Sequence, residues 1–287
     1  MSFITFAWIA SIVFGLEVVI GKLASKYAIT NPWMFNFAWS VFYFSSILPF
    51  ALANGVGLPT HWGNVLWASL FSTLFGFLYI WAMFKLDVSI ISPLFNFRTA
   101  FAAILGVLLL GEVLTSMQWG LIGTIFVAGM LVSLDERLKI KSFFQWPIAV
   151  IIGSMMILAL MSIYMNKAFA ENGYWEVTLW TLILTSVFTL PTVPLFLKDI
   201  RRTHVREYAG VAVMGLFGAM GTIAANLAYK ENVSITSAII SIPFSMIFAF
   251  FLSRITPKLL EKHTLGVYVI RFTAAAVMIG AALKLSF

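Results

Sequence analysis

Ten apolar runs, each about as long as a helix that crosses a bilayer, constrain this chain more than any other feature. They span residues 3–25, 32–53, 64–84, 88–110, 117–134, 147–168, 175–197, 208–229, 235–253 and 266–285. Hydrophobic residues make up 61% of the 287 and charged residues only 10%, against roughly 25% charged in a soluble domain. No soluble interior could hide that much apolar surface. A barrel would need short alternating strands, and unpaired backbone is too costly in hydrocarbon, so the runs must be helices. The expectation is an all-α integral membrane protein with ten transmembrane helices, multi-pass in a cell (inner or plasma) membrane.

The remaining composition excludes several classes. There is no cysteine, so neither a disulfide nor a thiolate metal site is available. The net charge of +7 would suggest nucleic acid in a soluble chain. Here the basic residues sit in short loops, where they orient the protein, and no nucleic-acid partner is expected. The run from Phe3 lacks a basic leader and a small-residue cleavage site, so it is expected to be retained as a helix.

Two stretches of the chain nearly coincide. Lys85-Leu86-Asp87-Val88-Ser89-Ile90-Ile91-Ser92 and Lys230-Glu231-Asn232-Val233-Ser234-Ile235-Thr236-Ser237 share five of eight positions at an offset of 145 residues, half the chain. The offset predicts a duplication: a five-helix unit over 1–134, a linker over 135–146 and a second five-helix unit over 147–287. Five is odd, so the second unit should enter the membrane inverted. The loop charges agree. Loop 54–63 has no Lys or Arg, whereas its counterpart 198–207 has four; loop 111–116 has none, whereas 254–264 has three. Lys26 and the clusters at 137–141, 198–206 and 254–262 all follow odd-numbered helices, which places them together in the cytoplasm and both termini outside.

An ionisable group at mid-helix costs roughly 2.5–3.5 kcal/mol on insertion scales, so each one needs a reason. Glu17, inside the first run, is either a proton acceptor and partner for a cationic group or the structural counterion of Lys22 or Arg98. Arg98, eleven residues into the fourth run, offers a fixed charge and a fork of donors suited to a carboxylate or phosphate. Lys85 and Lys230 close matching runs, as Lys22 and Lys167 do. They either line a cavity or snorkel to the headgroups, and Arg271 is expected to snorkel. Asn36, Ser40, Asn96 and Asn226 either line a wet cavity or hold helices together. Gly215, Gly218 and Gly221 read as a helix-packing row, while Trp33 and Trp39 are weaker pocket candidates. His61, His204 and His263 are scattered, so no metal site is expected. No nucleophile–base pair and no phosphate-cradling loop occurs, so neither an enzyme nor a cofactor is expected.

These residues carry a family resemblance. Lys230 is followed thirteen residues later by Pro243, and Gly111-Glu112-Val113-Leu114-Thr115 precedes Gln118-Trp119-Gly120. In these features the chain resembles the drug/metabolite transporter superfamily, EamA branch. Glu17-Val18-Val19-Ile20-Gly21 is also similar to the first helix of small multidrug resistance pumps, which implies a proton- and cation-binding role for Glu17. There are departures. Lys85 plus thirteen is Arg98 rather than proline, Thr256-Pro257 stands near the second expected Gly-Glu, and loop 54–63 lacks the basic residues common in relatives. Relatives keep both termini inside, against the charge count.

The resemblance and the residues together imply a secondary carrier, monomer or weak homodimer, for a small polar metabolite such as an amino acid or similar zwitterion. It would alternate access about a central cavity, with proton coupling through Glu17 left open. The alternative is proton-coupled multidrug efflux of lipophilic cations. Reporter fusions at the two termini test the orientation: the loop charges predict both outside, and a cytoplasmic signal from either would refute it.

Overall fold

Residues 2–86, 91, 94–132, 146–255 and 265–285 are described in a computed structural model. Among them every regular element is helical. The helices are α1 (Phe3–Tyr27), α2 (Pro32–Ala53), α3 (Gly63–Lys85), α4 (Asn96–Leu105), α5 (Ser116–Val132), α6 (Trp146–Glu171), α7 (Tyr174–Thr189), α8 (Tyr208–Tyr229), α9 (Val233–Ile240), α10 (Phe244–Ile255) and α11 (Leu265–Leu285). Seven stretches are long and apolar enough to cross a bilayer, and two shorter apolar helices accompany them. The protein is thus a multi-span helical membrane protein. The count of ten is not established, because much of the repeat at 85–92, the linker 135–146 and the loop 254–264 lie largely outside the described residues.

Helix ends follow local chemistry. Asn31 caps α2, accepting from the amides of Trp33 (3.0 Å) and Met34 (3.3 Å), with Pro32 at the first helical position. Two expected runs are interrupted. The run 175–197 leaves α-geometry at Thr189 and tightens into a 3₁₀ segment, Leu190–Leu195, where Pro191 and Pro194 remove two amide donors. The run 235–253 breaks between α9 and α10 at Ser241-Ile242-Pro243. Discontinuous helices are tolerated at membrane depth only where protein or a cavity satisfies the freed backbone. Here Ser11 Oγ of α1 donates to the Ile239 carbonyl at 2.9 Å.

The packing pairs helices from opposite halves of the chain. α1 lies along α8, α3 along α6 and α5 along α11, while α2 packs on both α8 and α7. Close approach depends on missing side chains. A Cβ on Gly15 would lie 2.7 Å from Phe244 Cβ and 3.0 Å from the Ser245 amide, at the α9–α10 break. The row Gly215, Gly218 and Gly221 faces Phe42 and Tyr43 of α2 and Glu17 and Phe14 of α1. In hydrocarbon such contacts drive association, because apolar burial no longer distinguishes protein from solvent.

Polar ties join the halves at both ends of the bundle. At one end the His61 amide donates to Asn172 Oδ1 (2.9 Å), Asn172 Nδ2 donates to the His61 carbonyl (3.0 Å), and Asn64 Nδ2 donates to Glu171 Oε1 (2.8 Å). At the other end, with the basic segment 198–206, Asn31 Nδ2 donates to Asp199 Oδ2 at 2.6 Å. Gly15→Val should cost about 1–3 kcal/mol by overpacking and lower the thermal midpoint in detergent. An unchanged midpoint would mean that α1 does not approach the break so closely.

Candidate functional site

Between the paired helices lies a cavity of about 150 Å³, on the order of ten times what one ordered water requires. α1 brings Glu17 to it, α2 brings Asn36, Trp39, Ser40 and Tyr43, and α4 brings Arg98. α7 contributes Thr178, Thr181, Thr185 and Thr189, and α8 contributes Thr222, Asn226 and Tyr229. The unwound Ser241-Ile242 closes part of the wall.

Glu17 is 6% exposed, and its Oε1 accepts from the Trp39 indole at 3.0 Å. The same oxygen presses against Gly218, so any side chain there would displace it. Arg98 is 4% exposed. Its Nη2 donates to Ser162 Oγ at 2.7 Å and to the Tyr229 hydroxyl, while the guanidinium lies 5.2 Å from the Tyr229 ring centre. Its Nε–H is buried and, among the described residues, has no acceptor. Among the described residues the hydrogen-bond partners of these two groups are neutral, rather than the counterions, Lys22 or Arg98, that formed the alternative reading of Glu17. Both charges line one cavity and are steadied by neutral groups. An arginine left with a bare donor in a low-dielectric site is positioned to receive an anion.

The walls between the charges differ in character. Tyr43 stacks on Trp39 (5.5 Å between ring centres), Trp39 tilts onto Tyr79 (6.3 Å), and Tyr79 meets Phe95 edge-on (5.8 Å). This aromatic strip runs from the Glu17 partner to the residue beside α4. Other wall positions carry hydroxyls whose donors are spent on their own helices. Thr185 Oγ1 donates to the Thr181 carbonyl (2.7 Å), Thr73 Oγ1 to Ser69 (2.8 Å) and Thr189 Oγ1 to Ser186 (2.7 Å). Their oxygen lone pairs remain as acceptors.

The expected site residues divide clearly. Glu17, Arg98, Asn36, Ser40 and Asn226 all line the cavity, and Asn226 Nδ2 donates to Thr178 Oγ1 at 3.1 Å. Lys22 is buried, with Nζ donating to the carbonyls of Met83 (3.0 Å) and Leu86 (2.9 Å), so it holds α1 to the end of α3. Asn96 packs against Gly129 of α5, outside the cavity wall. Lys85 and Lys230 are exposed at helix ends, as snorkelling requires. Arg271, expected to snorkel, is instead 2% exposed. Sequence reasoning missed Tyr43, Tyr229 and the α7 hydroxyls. Only the last left a readable signal, hydroxyls at 178, 181, 185 and 189 on one helical face. Among the described residues no His, Asp or Glu cluster could hold a metal.

If Trp39 orients the Glu17 carboxylate, their coupling should reach about 1.5–3 kcal/mol, the range for hydrogen bonds to charged groups. A thermal-unfolding cycle of Trp39→Phe, Glu17→Gln and the double variant measures it. Additive single effects would exclude the contact.

Residues 1–134 match the EamA-like transporter family. No curated protein matches the chain. Among 28 matching chains of known structure, one protein with a crystal structure aligns over 97% of this chain and 98% of its own, with TM-score 0.66 and 16% identity. That likeness concerns fold alone. Seven stretches of this chain are long and apolar enough to span a membrane, and its residues 1–134 are similar to the EamA-like transporters, consistent with the drug/metabolite transporter superfamily.

Proposed function

We propose that the protein is a secondary carrier for a small zwitterionic metabolite of the amino-acid class. Glu17 answers the cationic group and Arg98 the anionic group. The observation that carries this reading is one cavity lined by both charges, with the buried Arg98 Nε–H still lacking an acceptor. Glu17 and Arg98 sum to zero, so a neutral zwitterion enters without leaving a net charge behind. A lone cation or anion would leave one member of the pair uncompensated in a low-dielectric site. The acceptor oxygens along α7 suit the N–H and O–H groups of such a substrate, and the aromatic strip suits its carbon skeleton.

In this reading residues 1–134 and 147–287 are the two inverted repeats, rocking about the cavity so that it opens to either side in turn. The pairing of α1 with α8 and of α3 with α6 supports it, because exchanging the halves converts one pair into the other. Glu17 can carry a proton when no substrate cation occupies it, which would couple the cycle to a proton gradient. The protein acts as a carrier rather than an enzyme, in the cell membrane.

Efflux of lipophilic cations is the second reading. The Tyr43–Trp39–Tyr79 cluster beside Glu17 favours it, since aromatic faces attract cations. Arg98 ranks it second, because a fixed positive charge in the same cavity repels such substrates.

Proteoliposomes containing the purified protein, assayed with amino acids, nucleosides, sugars and cationic dyes, decide between them. Uptake or counterflow of an amino acid is expected, with Arg98→Ala and Glu17→Gln each lowering it at least tenfold, about 1.4 kcal/mol of lost interaction. Normal amino-acid transport by both variants would end the central-site reading. Faster dye transport by Arg98→Ala would put the cation reading first.

A further inference from the structure

Glu112 stands apart from the cavity, in the loop after α4. Its Oε1 accepts from the Val233 amide at 2.6 Å, and its Oε2 accepts from the Ser234 amide at 3.2 Å and from the Ser234 hydroxyl. These are first-turn amides of α9, which no carbonyl of their own helix can satisfy. A carboxylate there also meets the positive end of the helix dipole. The N-cap side chain of Asn232 takes the Ile235 amide at 2.7 Å, so Glu112 adds contacts the helix could not supply itself.

The preceding segment is shaped to deliver this carboxylate. α4 ends in a π-helical turn, Gly106–Leu110. Gly111 then takes φ +68°, a left-handed conformation that glycine adopts without strain, and the chain reverses so that the Glu112 amide donates to the Gly106 carbonyl at 3.2 Å. A Cβ on Gly106 would lie 2.5 Å from Ser234 Oγ and 2.6 Å from Glu112 Oε2. Only glycine leaves room for the contact.

α9 is pinned at its other end as well. Ser11 Oγ of α1 holds the Ile239 carbonyl, and Ser241 Oγ donates to the Phe95 carbonyl at 3.2 Å. All eight residues of α9 are buried, and its broken end lines the cavity. A short helix of the second half is thus tied at both ends to the first half. Any opening of the cavity at that end that displaces α9 would have to break these Glu112 contacts.

The carboxylate itself is not repeated at the matching position of the sequence. Val233-Ser234 recurs 145 residues earlier as Val88-Ser89, whereas the position matching Glu112 is Pro257, which has no carboxylate. We infer that Glu112 is a latch: a positioning residue that holds the bundle closed at the end carrying loops 111–115 and 172–173. The resting carrier then opens first at the opposite end, the one with the basic segment 198–206. The inference rests on the alternating-access reading of the carrier but not on the identity of its substrate.

The absence of native cysteine allows a direct test. Ala225→Cys, in the cavity wall, is labelled in sealed vesicles with a membrane-impermeant maleimide applied from the Glu112 side. Labelling is expected to be slow in this background and at least about tenfold faster when Glu112→Ala is added, the effect of losing one charge-assisted hydrogen bond. Glu112→Gln, which keeps an acceptor oxygen, should restore part of the protection. Separately, a Glu112→Cys and Ser234→Cys pair, once oxidised, should block labelling from that side and stop transport, with reductant reversing both.

Unchanged labelling in a well-folded Glu112→Ala protein, or full transport by the cross-linked pair, would overturn the latch. Should Glu112→Ala fail to fold, the cross-linked pair decides alone. Equal labelling from both sides in every variant would overturn alternating access itself. A wrong substrate assignment alters none of these labelling outcomes, which keeps the two failures distinct.

Discussion

Hydrocarbon supplies no hydrogen bonds, and every polar group carried into it must find its partner inside the protein. That constraint accounts for most of the polar contacts in the bundle. Thr and Ser hydroxyls of α3 and α7 turn back onto their own helices. Lys22 ends on the last carbonyls around α3, Ser11 on a carbonyl of α9, and Glu112 on the first amides of the same helix. Arg98 Nε is one of several buried polar atoms without a hydrogen-bond partner among the described residues, and in the proposed carrier the substrate anion would satisfy it.

The proposed duplication would give the site an internal logic. Glu17 and Ser162 occupy matching positions in the two halves, 145 residues apart. Ser162 is also the residue that receives Arg98 Nη2. Arg98 in turn matches Pro243, which sits at the α9–α10 break where Gly15 of α1 comes closest. One copy of the pattern therefore joins a serine to an arginine. The other sets a glutamate's helix against a proline-broken one. In that reading, opposite charges reach one cavity because the two copies differ at these two positions.

The two charges also explain why the walls matter. Coulomb attraction to a zwitterion is strong in a dry site but weakly directional. The aromatic strip from Tyr43 to Phe95 and the acceptor-only hydroxyls of α7 impose shape and hydrogen-bond polarity between the charged ends. In the proposed carrier, selectivity among zwitterions would be set there, on residues that carry no charge.

The membrane class was legible in the sequence because hydrocarbon imposes a length of apolar run that no soluble fold reproduces. Glu17 and Arg98 were legible because each is costly at mid-run and so needs a reason. Other features were hidden by their physics. Tyr43 and Tyr229 are ordinary residues in a chain with 28 Phe, 10 Trp and 8 Tyr, and composition cannot tell a lipid-facing ring from one in a cavity wall. Arg271 and Lys22 resemble snorkelling residues by position, yet both are buried, and Lys22 ends on carbonyls at the end of α3 rather than on headgroups. The Gly-Glu pair at 111–112 was visible as a motif, but not that its carboxylate reaches the other half. The sequence by itself determined that the chain is helical, membrane-embedded and charged at Glu17 and Arg98, since those follow from local composition and the cost of burial. Only the tertiary structure decided which charges share a cavity and which hold helices together, because hydrogen bonds between helices depend on how helices distant in the chain face one another.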